Sequence, residues 1–211
     1  MAEINIESEL TKIALKAIDN GIQYKQYLYC ENPKNVDLLF VGLNPSEEKN
    51  IEVNHLEITP QNPTVVEHSY FKRFQEVSKE STLKWGHLDL LYFRDTNQAN
   101  VSKIAYRTGN IGKQFILSQL ELSLELIKNI NPQIIVICNS LARDFFTSHF
   151  NQADNWLQQP IKFEENLGTY RWDWNNTPIF FTSMLTGQRA LDTGSYERLI
   201  WHIKYVNEII L

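Results

Sequence analysis

The stretch VDLLFVGLNPS (residues 36–46) is the most informative part of this sequence for predicting its fold. Its first part, VDLLFVG (36–42), is a short apolar run that turn-forming residues follow at once. Such a run, without regular polar alternation, predicts a β-strand that is buried on both faces, as in a parallel sheet. The second part predicts a turn in which Pro45 stiffens the backbone beside Asn44.

Three more apolar runs of this kind follow, and helical segments separate them. The runs are HLDLLYF (87–93), IIVIC (134–138) and TPIFFTSML (177–185). Apolar spacing, caps and turn residues predict helices from Ser8 toward Tyr27, over 68–80, Lys113–Asn131 and Leu141–Phe150, and from Ser195 to Ile210, with a hairpin over 161–174. Buried strands that alternate with helices predict a three-layer α/β/α fold with a four-stranded, mainly parallel sheet.

The length of 211 residues predicts one domain over residues 1–211, with an N-terminal helical segment over 1–35. After the first strand we expect a long irregular loop, because Pro45, Pro60 and Pro63 interrupt regular structure. In a parallel sheet the ligand site lies beyond the carboxyl ends of the strands. Candidate functional residues are therefore expected in the segments that directly follow the four apolar runs.

Composition excludes several classes of protein. Apolar residues make up 43% and charged residues 21% of the chain, which is typical of globular proteins. No run of roughly 18 apolar residues predicts a membrane span, and the acidic start MAEINIESEL does not resemble a secretory signal. Cys30 and Cys138 form no CxxC pair, and the histidines have no metal-ligand spacing. We expect a cytoplasmic monomer without a metal ion or other cofactor.

The net charge of −5 argues against a general nucleic-acid coat protein, but the charge is unevenly distributed. Residues 72–113 carry eight basic and four acidic side chains, which makes this segment a basic island. A solvated surface without a partner explains such an island on charge alone. Local positive charge can also steer a polyanion to one face of a protein.

The order of several motifs resembles that of a known enzyme superfamily. The strand that ends in GLNPS is followed by HSYFKRF (68–74), HLDLLYFR (87–94), IIVICNSLA (134–142) after Asn131-Pro132, and SMLTGQR (183–189). Over residues 36–205 this order resembles the uracil-DNA glycosylase superfamily, especially its branches with a G-x-N-P first motif. The resemblance implies a DNA-repair enzyme that extrudes a damaged base and hydrolyses its N-glycosidic bond without a metal ion.

The first motif supplies the predicted catalytic residue. Asn44 matches the family residue that orients the attacking water, and Gly42, Leu43 and Pro45 are predicted to border the base. An amide cannot act as a strong base, but it can hold water beside a developing sugar cation. The structural alternative is an ordinary Asx-type turn made by the same side chain.

The second motif supplies the predicted base-stacking ring. The resemblance implies that Tyr70 or, by preference, Phe71 stacks on the extruded base, while Lys72 and Arg73 approach the DNA phosphates. Aromatic side chains at helical spacing, here with Phe74, are also typical of a plain hydrophobic core.

Asp89 departs from the family pattern, in which many members have an asparagine that reads the edge of uracil. An ionised carboxylate only accepts hydrogen bonds and would pair poorly with uracil O4. Burial can raise the pKa of the carboxyl and supply the missing donor. A structural aspartate that accepts backbone N–H groups is an equal alternative, so the identity of the base stays open.

The last motif also departs from the family pattern. Met184 stands where the family has a histidine or asparagine that stabilises the leaving base, and a thioether is only a weak acceptor. Met184, Thr186, Gly187, Gln188 and Arg189 are predicted to hold the DNA strand, single-stranded or mismatched. A polar turn before the last helix is the alternative for this loop. For the whole protein, the alternative is a non-catalytic module that binds a nucleotide, nucleic acid or protein.

Overall fold

The structure is a computed structural model that describes residues 4–31, 35–47, 55–147, 162–167, 169–174, 177–187 and 190–210. A single turn of 3-10 helix, Ser69–Phe71, precedes the second α-helix. In chain order, the described helices and strands are α1 (Ile6–Asp19), β1 (Gln26–Cys30), β2 (Leu38–Gly42), β3 (Glu57–Gln61), α2 (Lys72–Ser81), β4 (Trp85–Asp89), α3 (Gln98–Arg107), α4 (Gly109–Ile130), β5 (Ile134–Ile137), α5 (Ser140–Thr147), β6 (Lys162–Glu164), β7 (Thr169–Trp174), β8 (Thr177–Phe181) and α6 (Thr193–Ile210).

Six strands form the main sheet in the order β4-β2-β5-β8-β7-β6. The first four run parallel, with Val41 opposite Ile137 and Ile137 opposite Phe181. The hairpin β6–β7 adds two antiparallel strands beside β8. Every residue of β2 and β5 is buried, as their uninterrupted apolar sequences require. The predicted α/β class, with a four-stranded parallel sheet flanked by helices, is confirmed.

Residue contacts divide the chain into two compact units, which we describe separately. Unit 1 consists of Met1–Asn32, Leu43–Asn62 and Leu88–Asn131, and unit 2 consists of Pro33–Gly42, Pro63–His87 and Pro132–Leu211. The assignment of residues 1–211 to one domain stays a prediction.

In unit 1, α1 and α3 pack against α4, and β1 pairs with β3 in a short parallel sheet. Gly112 allows the close approach of α3 and α4, since a Cβ atom there would lie 2.2 Å from the carbonyl oxygen of Ile104. The predicted continuation of the first helix toward Tyr27 is wrong, because α1 ends at Asp19 and Gly21 adopts a φ of +87°.

The irregular loop predicted after Pro45 is also partly wrong, because β3 runs through Pro60. Pro60 lies opposite Tyr29 of β1. Among the described strands, β3 pairs only with β1, so its other edge is unpaired there. A strand with a free edge tolerates a proline there, because the missing N–H group faces away from the ladder.

Unit 2 contains a core in which α2 and α6 pack together on one face of the parallel sheet. Phe40 and Val136 of the sheet meet Phe74 of α2 and Ile203 of α6 in this core. The predicted helices at 68–80 and Ser195–Ile210 are confirmed with small shifts of their ends. The predicted end of the helix before Asn131-Pro132 is confirmed too, where Asn131 takes the left-handed conformation that closes α4.

The second predicted strand is shorter at its carboxyl end than its apolar sequence indicates. β4 ends at Asp89, and the buried residues 90–93 follow an irregular path. Here Leu91 N–H donates to the Leu43 carbonyl, Tyr92 N–H donates to Gln119 Oε1, and Phe93 forms a single antiparallel bridge with Tyr27 of β1. None of the helices described here has the length and apolar character needed to cross a membrane.

Candidate functional site

Hydrogen bonds join the two chain segments that follow β2 and β4. In unit 1, Leu91 N–H donates to the Leu43 carbonyl at 2.9 Å, and Asp95 N–H donates to the Pro45 carbonyl at 3.0 Å. We call residues 43–47 and 91–96 the paired loops. Asn44 directly follows Leu43, and Asp89 lies two residues before Leu91. The two polar candidates, Asn44 and Asp89, therefore belong to chain segments that are hydrogen-bonded to each other.

Asn44 ties the paired loops together with one end of its amide. Its Nδ2 donates to the Asp95 carbonyl at 2.7 Å and to the Pro45 carbonyl at 3.0 Å. Its Oδ1 accepts no hydrogen bond from any residue that the structure describes. The nitrogen therefore has a structural role, and the oxygen is available to accept a hydrogen bond from water or a ligand.

Asp95 is a polar residue of this region that the sequence analysis missed. Its buried carboxylate accepts hydrogen bonds from Tyr24 Oη at 2.5 Å and from Asn97 N–H at 2.7 Å. This interaction fixes the backbone that receives the Asn44 amide. The signal in the sequence is Asp-Thr-Asn before α3, which is typical of a helix start.

Asp89 is the last residue of β4, and its side chain is 9% exposed. Burial raises the pKa of its carboxyl from 3.8 to about 7, because a low-dielectric surrounding disfavours the charged form. Burial raises the pKa of the Cys30 thiol, and the charge of Asp89 raises it further. Near neutral pH a large share of Asp89 is protonated, so its carboxyl can donate one hydrogen bond and accept another.

The two predicted stacking rings contact each other in unit 2, with centroids 5.1 Å apart, but they differ in exposure. Phe71 is 4% exposed, and its ring packs against the rings of Phe74, Trp85 and His87 at centroid distances of 5.9, 5.9 and 5.4 Å. A ring enclosed in this way has no free face for a base. Tyr70 is partly exposed, with its ring 5.2 Å from that of Phe74, and is the better candidate of the two.

Arg73 holds the loop that follows β8. Its Nη1 donates to the carbonyls of Leu185 and Leu191 at 3.0 Å each, and its guanidinium lies 4.8 Å from the centre of the Tyr196 ring. These contacts give Arg73 a structural role in unit 2. The neighbouring Lys72 is exposed on α2.

The loop at 184–187 is folded against unit 2. Leu191 N–H donates to the Met184 carbonyl at 2.9 Å, Leu185 is buried, and Gly187 has a φ of +90° that suits glycine. The Thr186 Oγ1 atom is buried and has no hydrogen-bond partner within the described ranges. The predicted DNA contacts Gln188 and Arg189 lie outside the described residues.

The predicted site residues are thus distributed over both units. Leu43, Asn44, Pro45 and Asp89 belong to unit 1, and the hydrogen bond from Leu91 to Leu43 links their segments. Gly42 and the described candidates of the 70–73 and 184–187 segments belong to unit 2. Across the described ranges, no cluster of three or more histidine, cysteine or acidic side chains could hold a metal ion.

A scan against models of known protein families finds no match, and a search of curated proteins finds no similar sequence.

Proposed function

We propose that this protein hydrolyses the N-glycosidic bond of a deaminated or mispaired base in DNA. One observation carries the proposal: the buried carboxyl of Asp89 ends a parallel strand next to the loop that contains Asn44. In this fold class the ligand site usually lies at the carboxyl ends of neighbouring strands, where these two polar residues are found.

Asn44 orients the water in this proposal. Because its Nδ2 is held by two backbone carbonyls, its Oδ1 has a fixed direction and accepts a hydrogen bond from the attacking water. The water adds to the sugar carbon as the bond to the base breaks, and its proton passes to solvent. Fixing the water before reaction reduces the entropic part of the barrier.

Asp89 reads the base and assists its departure. In the protonated form its O–H group donates to a carbonyl oxygen of the base, and its carbonyl oxygen accepts from a ring N–H group. The donated hydrogen bond strengthens as negative charge develops on the leaving base. A group with a pKa near the working pH suits this role, because both of its protonation states are accessible.

The substrate preference follows from the family resemblance, in which Met184 replaces the residue that stabilises the leaving base. A thioether cannot stabilise a leaving base, so the protein depends on bases that leave the helix easily. Extrusion costs least in single-stranded or mismatched DNA. The proposal further takes the protein to act as a monomer in the cytoplasm, where buried thiols such as those of Cys30 and Cys138 stay reduced.

The second candidate function is a non-catalytic module that binds a nucleotide, nucleic acid or protein. The hydrogen bonds of Asn44 favour it, because an amide that ties two loops together has a structural reason to be present. The two candidates differ in whether any base is released.

The test measures base release from oligonucleotides that contain uracil, hypoxanthine or xanthine, single-stranded, mismatched or fully paired. We expect slow release from the first two forms and hardly any from the paired duplex. Asn44→Ala should lower the rate by about 100-fold, the typical effect of losing one positioned polar group. Asn110→Ala, at an exposed position of α4 in the same unit, is the matched control and should keep the full rate.

The pH profile tests the role of Asp89. Release should decline as the pH rises through about 7, since the carboxyl then loses its donor proton. Asp89→Asn should flatten this decline and shift the preference toward uracil, because an amide donates at every pH in this range. Absence of release from every substrate at high enzyme concentration contradicts the proposal and favours the non-catalytic module.

A further inference from the structure

A second polar region lies entirely within unit 2, at the carboxyl ends of β5 and β8. It is a cavity of about 290 Å³. Ser140, which begins α5, borders it on the side of β5, while Thr182 and Ser183 border it directly after β8. Because Thr182 N–H donates to the Ile137 carbonyl at 2.9 Å, the two strand ends are held side by side.

Among the described residues that line the cavity, the charged side chains are both arginines. Arg143 and Arg198 both border it, and its described lining residues include no aspartate or glutamate. Arg198 is exposed and has no ion pair or hydrogen bond with any described residue. The guanidinium of Arg143 lies 3.3 Å from the carboxylate of Asp144. The cavity therefore attracts an anion.

Hydroxyl groups supply further donors. The side chains of Ser140, Thr182 and Ser183 have no hydrogen-bond partner in the described part of the chain, whereas Ser195 donates to Asp192 at 2.6 Å. Three unpartnered hydroxyls beside two guanidinium groups provide several donors within one small volume. Oxygen atoms of a phosphate group accept hydrogen bonds from this combination of donors.

One wall of the cavity consists of two stacked rings and is partly apolar. The ring of His202 stacks on that of Phe180, with centroids 5.8 Å apart and planes 8° from parallel. His202 is 4% exposed, and its Nε2 lies 2.7 Å from the Leu167 carbonyl oxygen. A carbonyl only accepts, so Nε2 carries the hydrogen. This wall can contact the carbon skeleton of a ligand.

We propose that this cavity binds the phosphomonoester group of a small ligand of sugar-phosphate size. A phosphomonoester carries a charge close to −2 at neutral pH, which two guanidinium groups can match. A cavity near 300 Å³ is at the small end of ligand sites and suits such a molecule. The site does not involve Asn44 or Asp89, so it goes beyond the proposed base excision and is tested independently of it.

The titration of His202 provides a local probe of this site. Burial lowers the pKa of its imidazole, the Leu167 carbonyl raises it, and the positive charge of Arg198 lowers it further. A dianion bound beside Arg198 offsets that charge. Phosphate binding should therefore raise the pKa of His202, and Arg198→Gln should raise it without any ligand.

The experiment measures binding by calorimetry with ribose 5-phosphate, ribose and inorganic phosphate. We expect ribose 5-phosphate to bind more tightly than inorganic phosphate, and ribose to show no binding. Arg198→Gln should weaken the binding of ribose 5-phosphate by about 10-fold or more, the typical effect of losing one charge-assisted contact. Arg107→Gln, which changes an exposed arginine of unit 1, should leave the affinity unchanged.

A competition arm separates the small ligand from a DNA strand. A single-stranded oligonucleotide without terminal phosphates should not displace ribose 5-phosphate from the cavity. Displacement that depends on Arg198 would identify a contact with the DNA backbone and overturn the proposal. The absence of ribose 5-phosphate binding, or binding that Arg198→Gln does not weaken, would overturn it as well. Base release by the same preparation is assayed separately and reports on Asn44 and Asp89 only.

Discussion

The paired loops of unit 1 and the cavity of unit 2 use similar polar residues in different ways. Each region follows the carboxyl ends of parallel strands. In the paired loops, the Asn44 amide nitrogen donates to two backbone carbonyls, and Asp89, at the end of β4 just before the second loop, is buried. Around the cavity, Arg198 and Ser183 have no partner among the described residues. Polar residues after a buried strand therefore serve either as scaffold or as a free binding surface, and their hydrogen bonds distinguish the two.

The largest expected effect concerns Asp89, whose burial should make the protein less stable at high pH. The unfolded carboxyl ionises near 3.8 and the folded one near 7, so between these values the native state keeps a proton that the unfolded state releases. The free energy of unfolding should thus decrease from about pH 4 to pH 7. Its contribution reaches about 4 kcal/mol, because one pH unit corresponds to about 1.4 kcal/mol.

The measurement is urea unfolding of the wild type and of Asp89→Asn at several pH values between about 5 and 8. The free energy of unfolding of the variant should lack the part of the pH dependence that Asp89 causes. The difference between the two curves separates this part from the effects of other titrating groups. Parallel curves for the two proteins would show that the carboxyl is ionised throughout this range, and the proposed donor role of Asp89 would then fail.

A smaller effect is expected for Arg73 of unit 2. Like Asn44 in unit 1, it donates side-chain hydrogen bonds to backbone carbonyls and so has a structural role. Arg73→Ala removes hydrogen bonds to the carbonyls of Leu185 and Leu191 and a contact with the Tyr196 ring. The loss should lower the free energy of unfolding by about 3 kcal/mol, since hydrogen bonds from charged donors are stronger than neutral ones. Chemical denaturation provides the measurement.

Lys72→Ala is the matched control for Arg73, because Lys72 is the adjacent exposed cation of α2. It should change the free energy of unfolding by less than about 0.5 kcal/mol. Equal effects of the two substitutions would show that the charge of α2, and not the anchoring of the loop, determines the stability of this region.

The parallel core was predictable from the sequence because its signals are local. The runs at 36–42 and 134–138 have few polar interruptions, and burial on both faces of a strand is what such a composition requires. The end of α4 was predictable for the same reason, since Asn131-Pro132 stops a helix by its own backbone preferences. The strand β1 was missed because its pairing partner, Glu57–Gln61, lies far along the chain and contains a proline.

The candidate site was predictable only in part. The positions of Asn44 and Asp89 after their strands follow from the order of the apolar runs, but their surroundings depend on distant residues. The Asn44 amide donates to the carbonyl of Asp95, and the pKa of Asp89 depends on how completely the folded chain excludes water. The enclosure of Phe71 by Trp85 and His87 likewise has no local signal.

The smallest expected effect compares Asn44 with Ser183 and tests the distinction between the two regions directly. Asn44→Ala leaves the half-buried carbonyls of Pro45 and Asp95 without the amide donor, which should lower the free energy of unfolding by about 1–2 kcal/mol. Ser183→Ala removes an exposed hydroxyl that has no partner among the described residues, and should change it by less than about 0.5 kcal/mol. Urea unfolding of both variants at one pH measures the difference. If Ser183→Ala cost as much as Asn44→Ala, the hydroxyl would be part of the scaffold, and the cavity of unit 2 would lose one of the donors assigned to its phosphate ligand.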